Sequence, residues 1–457
     1  MGTASKGNKI DMLSGPLASR MVLFALPLIA SGVLQQSFNS VDVAVVGRFA
    51  GSHALAAVGS NGPVISLLIN MFLGLSVGVN VVIANYIGQR NSRGVRAAVA
   101  SSVVLALLSG LTMLVLSQLI ARPVLTWLDT PAEVLDDAVL YLRLLGLGMP
   151  FMIIYNFGSA ILRSIGDTRR PFYILVLAGI VNVILNLVLV IGCDMGVAGV
   201  AIGTVVSNIV NATLITIILM REKSDIRVDL KAIVPSRVQI GKICNVGVPA
   251  GIQTTVFALS NAFILSAINS FGADAAAGSA AALNYELYCY FVISAFAQTA
   301  VAFISQNYGA GNLDRCRRIF RLSLAMSMGT SVVLNLLLAW MHEPVLRVFT
   351  TDIPVLQYGG IRMTYVLAFQ FIACYYEMAG SAMRGLGHSM TPALITIFGT
   401  CVLRLFWVWN FPVGEAEFRD LMIVYPVSWI LTDLLMFIAF ARIRRGLGTQ
   451  AKNPNYS

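Results

Sequence analysis

Charge is what this chain has least of. Only 11% of its 457 residues are Asp, Glu, Lys or Arg, against about 25% in ordinary soluble domains. With 57% hydrophobic residues and a mean hydropathy of +0.81, too little polar surface remains to clothe a water-soluble fold. The three histidines, His53, His342 and His388, form no HExxH or comparable spacing. The six cysteines, Cys193, Cys244, Cys289, Cys316, Cys374 and Cys401, include no CxxC and are scattered through or beside apolar stretches. They read as small hydrophobes, not as a metal or redox centre. No Walker lysine is present, and GAGN at 309–312 reads as a short turn, not a phosphate cradle. With no triad or cofactor motif, the chain is not read as an enzyme and no cofactor is expected. Its opening, MGTASKGNKIDMLSGPLASR, is too polar for a cleavable signal peptide.

Long apolar runs are what the chain has in excess. Twelve stretches cover roughly 21–47, 55–85, 97–120, 135–161, 171–191, 197–220, 241–270, 276–306, 319–340, 354–383, 392–411 and 421–441. Each is about 20 residues or longer, enough to cross a hydrocarbon core of ~30 Å as a helix. They are continuous rather than alternating, which argues against a β-barrel. The expected fold is an all-α polytopic membrane protein.

The net charge of +10 would suggest nucleic acid on a soluble protein; here its position matters more, and no nucleic-acid partner is expected. The connections alternate. Lys6, Lys9 and Arg20 precede the first span, Arg90, Arg93 and Arg96 follow the second, and Arg163, Arg169 and Arg170 follow the fourth. The sixth span is followed by Arg221, Lys223, Arg227, Lys231, Arg237 and Lys242, the eighth by Arg315, Arg317, Arg318 and Arg321, the tenth by Arg384, and the twelfth by Arg442, Arg444, Arg445 and Lys452. The intervening connections hold only Arg48, Arg122, Arg347 and Arg419 among acids such as Asp129, Glu133, Glu415 and Glu417. Basic loops stay cytoplasmic, so both termini are expected in the cytoplasm and the protein in the inner or plasma membrane.

The halves repeat. A slide of 221 residues sets Gly88 on Gly309, Asn91 on Asn312, Tyr155 on Tyr376, Arg163 on Arg384, Gly166 on Gly387 and Pro171 on Pro392; one further residue of gap sets Pro27 on Pro249. Six spans per half is an even number, so both halves enter the membrane the same way round. The pattern predicts two six-helix bundles, 1–220 and 241–457, related by a pseudo-twofold along the membrane normal and joined by a cytoplasmic linker, 221–240. Such repeats characterise transporters that work by alternating access.

Polar groups inside a span are costly unless they face protein or water. Gln35, Asn39 and Asp42 recur on one helical face of the first span, and Asn182 and Asn186 on one face of the fifth. A carboxylate ringed by carboxamides can hold a proton or a small cation; the alternative is an Asp buried for packing alone. Asp42, Asn39, Asn182 and Asn186 are therefore the candidate coupling site. In the second half, Glu286 sits among Asn284, Tyr285, Tyr288 and Tyr290, and Glu377 beside Tyr375 and Tyr376. An acid among aromatic rings attracts a lipophilic cation, so Glu286 is expected to face the central cavity. Arg404 is expected to neutralise Glu377 or Asp433, leaving net negative potential in this half. Gln35, Tyr155, Asn284, Tyr285, Glu286, Tyr376, Glu377 and Arg404 form the candidate substrate cavity. Pro27, Pro150, Pro249 and Pro426 are candidate kinks.

VDVAVVGRFAGSHALAAVGSNGP after a proline-containing first span, SQNYGAGN after the eighth, and the paired turns ILRSIGDTRRP and AMRGLGHSMTP resemble the multidrug and toxic compound extrusion (MATE) family over nearly the whole chain. The resemblance implies twelve helices in two lobes around a cleft. It also implies export of cationic amphipathic compounds in exchange for sodium or protons. Asp42 matches the acidic position of the family's first helix. The family commonly carries an Asp ten residues before a GVAG turn; GVAG here is 196–199, and that position is Asn186. The expected activity is cation-coupled antiport by a monomer, with a proton favoured over sodium. A flippase for a lipid-linked or polyisoprenoid substrate is the alternative, disfavoured because its anionic cargo calls for several cavity Arg or Lys residues.

Overall fold

The computed structural model describes residues 9–128, 130–231, 233–410 and 417–450; Lys6, Asp129, Glu415 and Lys452 lie outside the described residues. Among those described, the chain is helical throughout, with no strand. In chain order the helices are α1 Leu17–Val45, α2 Gly51–Ser60, α3 Gly62–Gly88, α4 Ser92–Trp127, α5 Ala132–Ser164, α6 Arg169–Asn186, α7 Gly196–Arg221, α8 Arg237–Asn269 and α9 Ala273–Gly309. The rest are α10 Leu313–Trp340, α11 His342–Leu346, α12 Ile353–Arg362, α13 Ala373–Gly385, α14 Met390–Thr396, α15 Leu403–Trp409, α16 Phe418–Met422 and α17 Val424–Gln450. Several are joined or extended by π-helical turns. One continues α1 over Val46–Ala50 and another continues α6 over Leu187–Gly192.

Among the described residues, eleven continuous helical segments are long and apolar enough to cross a membrane. The tenth stretch, expected as one span over 354–383, is broken instead. It runs through α12, a π turn at Met363–Leu367, a 3-10 turn at Gln370–Ile372 and α13. Irregular backbone at membrane depth survives only where protein or water satisfies its polar groups. Here the Ala368 N–H reaches the Met363 carbonyl at 2.9 Å and the Ile372 N–H reaches Phe369 at 3.0 Å. The expected kink residues Pro27, Pro150 and Pro249 all lie inside helices that continue past them.

The apolar surface faces outward, as lipid requires. Leu107, Leu108, Leu111, Val115 and Leu119 are exposed on α4, and Leu434, Phe437 and Ile438 on α17. In water, patches of that size would drive aggregation. Trp127, Trp340 and Trp409 end α4, α10 and α15 at 80%, 80% and 89% exposure. Exposed tryptophans at helix ends mark the membrane–water boundary.

The chain divides into two compact units, Met1–Gly251 with Gly309–Gly311, and Ile252–Tyr308 with Asn312–Ser457. The internal repeat extends to backbone detail within each. Asn91 donates its N–H to Tyr86 at 3.0 Å, and its repeat mate Asn312 donates to Asn307 at 2.9 Å. Asp167 donates to Leu162 at 3.1 Å, as His388 does to Met383 at 2.8 Å. Gly166 and Gly387, at the tips of these paired turns, have φ of +87° and +89°, a region open to glycine without steric cost.

Candidate functional site

In the first unit α1, α6 and α7 pack side by side, and their polar residues meet. Asn186, at the last turn of α6, is fully buried and donates its amide Nδ2 to Asp42 Oδ1 at 2.5 Å. The same amide is 3.4 Å from Asn182 Oδ1, and Asn182 Nδ2 is 3.4 Å from Thr204 Oγ1 on α7. Thr204 in turn donates to the Val200 carbonyl at 3.0 Å. Three helices are thus tied by one carboxylate, two carboxamides and one hydroxyl. Gly203 makes room for this: a Cβ there would come within 2.2 Å of Asn186 Oδ1. Tyr141, buried on α5, lies in the electrostatic field of Asp42. Asn186 stands directly before the π turn at Leu187–Gly192, and Asp42 lies one helical turn before the π turn at Val46–Ala50; such turns are common at functional positions in helices.

The helical spacing correctly aligns Asn182 with Asn186. Asn39 differs from expectation: it is exposed, and no hydrogen bond joins it to Asp42 among the described residues. Asp42 turns instead toward α6, where a buried amide can satisfy it. Gln35 is also exposed on α1. Thr204 and Tyr141 were not singled out from the sequence; a lone hydroxyl in an apolar helix carries no spacing signal.

In the second unit the candidate residues take separate roles. Asn284 lines an open cleft of about 420 Å³ with Phe349, Thr350 and Asp352. Tyr285 closes against that region, its hydroxyl donating to the Val345 carbonyl at 3.0 Å and its ring edge-on to Phe349 at 5.7 Å. Glu286 is 6% exposed and held by Arg362 in a two-point ion pair, Nε to Oε1 at 2.6 Å and Nη2 to Oε2 at 2.9 Å. The sequence shows Glu286 no such partner; the structure pairs its charge with Arg362. A carboxylate removed from water takes the nearest guanidinium, and the end of α12 delivers it.

Arg404 also departs from expectation, because no acid pairs with it among the described residues. It donates to Ser428 Oγ at 3.1 Å and to Asn261 Oδ1 at 3.0 Å, and its guanidinium lies 4.4 Å from the Tyr425 ring centre and 5.3 Å from that of Phe257. Aromatic faces and neutral oxygens replace the carboxylate as its partners. Asp433 caps the break in the tenth crossing, accepting the Tyr376 backbone N–H at 2.9 Å. Glu377 accepts from the Tyr290 hydroxyl at 3.3 Å and lies in the field of Arg384, two turns along the same helix. Arg384 donates to Gln253 Oε1 at 2.7 Å. Tyr376 is buried, and Tyr155, its repeat mate, is buried with its hydroxyl on the Pro171 carbonyl at 2.9 Å.

The charge balance of this half is therefore different from the one expected. Glu286, Glu377 and Asp433 are matched in number by Arg362, Arg384 and Arg404. Nothing in the sequence spacing of Arg362 and Arg384 points to Glu286 or Glu377.

Comparison with known proteins agrees with this architecture. The MatE family profile matches residues 27–188 and again 249–409, beginning on Pro27 and on its repeat mate Pro249. The probable multidrug resistance protein NorM of Thermotoga maritima is 28% identical over 85% of this chain and 84% of its own. The probable multidrug resistance protein YoeA of Bacillus subtilis is 26% identical over 91% and 92%. A solved MATE structure in the straight conformation superposes with a TM-score of 0.90 at 22% identity, covering 98% of this chain and all of that one. With a duplicated match across most of its length and the same twelve-crossing helical fold, the chain belongs to the MatE family of multidrug and toxic compound extrusion transporters.

Proposed function

We propose that this protein exports cationic amphipathic drugs or metabolites across the inner or plasma membrane by alternating access, in exchange for a proton. It works as a monomer with both termini in the cytoplasm and uses no cofactor beyond the coupling ion. Residues 1–220 and 241–457 act as its two lobes, with 221–240 as the cytoplasmic connector. The observation that carries the reading is the hydrogen bond from Asn186 to Asp42. Asp42 is the one carboxylate among the groups that tie α1, α6 and α7 together. Taking up a proton removes its charge and its capacity to accept from Asn186 as an anion, which biases how α1 packs on α6.

A proton is favoured over sodium for a geometric reason. Hard cations need several oxygen ligands. At this site Asn186 presents its N–H to the carboxylate and its oxygen toward Gly203. One carboxylate with a donor opposite it suits a proton better than a metal ion. The names of the relatives support a drug-like cargo. The flippase alternative gains nothing from the structure, since the Arg362 guanidinium is already committed to Glu286.

The test is efflux from proteoliposomes holding a panel of cationic dyes, under an imposed pH gradient or an imposed sodium gradient. Efflux driven by the pH gradient without sodium is expected. Strict sodium dependence would overturn the choice of ion, and transport of none of the dyes would overturn the cargo class.

A further inference from the structure

At one end of the second unit, α9 and α13 finish, α17 nears its end and α10 begins. Between them lies a cavity of about 140 Å³ with a basic mouth and an apolar floor. Phe320 and Phe440 pack against each other in that floor with ring centres 4.6 Å apart, and Leu386 joins them. Arg317, Arg321 and Arg444 stand around the opening, all exposed. Arg317 holds the exposed Asp314 at 3.0 Å. Arg321 and Arg444 have no carboxylate within ion-pairing distance among the described residues. Over 300–325, 378–390 and 434–445, Asp314 is the one acid, against Arg315, Arg317, Arg318, Arg321, Arg384, Arg442, Arg444 and Arg445.

The volume excludes this cavity as the cargo site, because pockets for drug-sized ligands run to about 300–1,000 Å³. It has room for a phosphodiester and the first methylenes beside it. Arginine forks bind phosphate oxygens in two-point contacts, and the aromatic floor offers nothing to a free, fully hydrated anion. On the orientation proposed above, the opening lies at the cytoplasmic leaflet, where anionic lipids accumulate.

We propose that this cavity is a binding site for an anionic phospholipid. Its phosphate is held by Arg317, Arg321 and Arg444, and the start of an acyl chain lies against Phe320, Phe440 and Leu386. A lipid seated there bridges α10, α13 and α17 at one membrane face and stabilises their packing.

The full-length protein, purified in detergent and stripped of lipid, is titrated with phosphatidylglycerol or phosphatidylcholine in mixed micelles. Bound lipid is counted by native mass spectrometry and thermal unfolding is followed in parallel. Phosphatidylglycerol is expected to bind and to raise the melting temperature, while phosphatidylcholine is not. Arg321→Gln and Arg444→Gln are each expected to weaken phosphatidylglycerol binding about fivefold, the factor that one basic residue contributes near an anionic surface. Arg318→Gln, at an exposed arginine of the same helix α10 that does not line the cavity, is expected to bind as the wild type does. Equal binding of the two lipids, equal loss in Arg318→Gln, or an equal melting shift from inorganic phosphate would each overturn the proposal. If Arg321→Gln fails to elute as a single folded species, Arg444→Gln near the end of α17 carries the same test.

Discussion

Asn186 and Asp42, separated by 144 positions in sequence, meet at 2.5 Å as a buried amide donor and a half-buried carboxylate. The contact joins α1 to α6, so a change of charge at Asp42 acts on the packing of two membrane-crossing helices. Asp42→Asn keeps the size of the side chain and removes the titratable group. The variant is expected to fold and insert normally, and to lose gradient-driven dye efflux down to the background of empty vesicles. Efflux at wild-type rate and equal protein level would rule out Asp42 as the coupling residue.

Asn186→Asp asks the complementary question. It sets a second carboxylate beside Asp42, and two like charges that close need a cation or a proton between them. Sodium is expected to raise the melting temperature of this variant and to stimulate its efflux, while leaving the wild type unchanged. The measurement is a melting curve with sodium against choline chloride. No sodium effect in the variant would show that the oxygens around Asp42 cannot gather into a metal site.

Glu286 and Arg362 form a different kind of pair, buried and held at two points. Deleting one partner leaves the other charged and out of water, at a cost of about 3–5 kcal/mol. Glu286→Gln is therefore expected to unfold at markedly lower temperature and to be recovered in lower yield. The double change Glu286→Met with Arg362→Met removes both charges and is expected to restore most of that stability. Efflux by the double variant then separates the roles: a rate near wild type assigns the pair to structure, and loss of efflux in a stable protein returns Glu286 to the cargo path.

What the sequence could and could not reveal follows from the range of each signal. The membrane crossings are local: each is a continuous apolar run, so eleven of them emerge with little more than uncertain ends. The tenth reads as continuous because Met363–Ile372 is as apolar as its neighbours, and only tertiary partners such as Asp433 on the Tyr376 N–H stabilise the break. Asn182 and Asn186 were visible as one helical face because four residues make one turn. Arg362 on Glu286, and Asn261 on Arg404, lie 76 and 143 positions apart. No periodicity reports such distances, so the sequence alone offers the second half's buried acids Arg404 as a partner and misses Arg362 on Glu286.

Close backbone approach makes a separate prediction within the first unit. A Cβ at Gly78 on α3 would fall 2.3 Å from the Ile243 carbonyl oxygen on α8, and one at Gly247 would fall 2.6 Å from Leu75 Cα. Small residues allow membrane helices to pack this closely. Gly78→Val collides with backbone rather than with a movable side chain, so α3 and α8 must separate, at a cost of about 1–3 kcal/mol. Reduced folded yield on gel filtration is expected, with Gly59→Ala, where a Cβ meets nothing within 4 Å, as the harmless control. Equal yields would show that the helices can part without penalty.

The N-terminal segment ahead of α1 is tied down by charge, and that makes it sensitive to acid. Lys9 Nζ lies 2.8 Å from Glu222 Oε1, Arg170 Nη1 lies 2.8 Å from Glu222 Oε2, and Arg170 also pairs with Asp167. The Ile10 N–H donates to the Gly166 carbonyl at 3.1 Å, and Arg20 reaches the carbonyls of Asp11 and Ser14 at 2.6 and 2.5 Å. Burial alone pushes the Glu222 carboxyl up, but the hydrogen bonds and charges of Lys9 and Arg170 outweigh it and bring it down to about 2 from an ordinary 4.5. The docked state therefore binds fewer protons than the released state between those values. Its stabilisation is complete above pH 4.5 and is lost as the pH falls toward 2. Amide exchange at Ile10, corrected for the intrinsic effect of pH, is expected to be slow at neutral pH and to accelerate across that interval. Glu222→Gln is expected to exchange quickly already at pH 7, because its neutral amide cannot hold two cations. Wild-type protection that persists to pH 2, or an unchanged Gln variant, would show that the Ile10–Gly166 hydrogen bond holds the segment without help from Glu222.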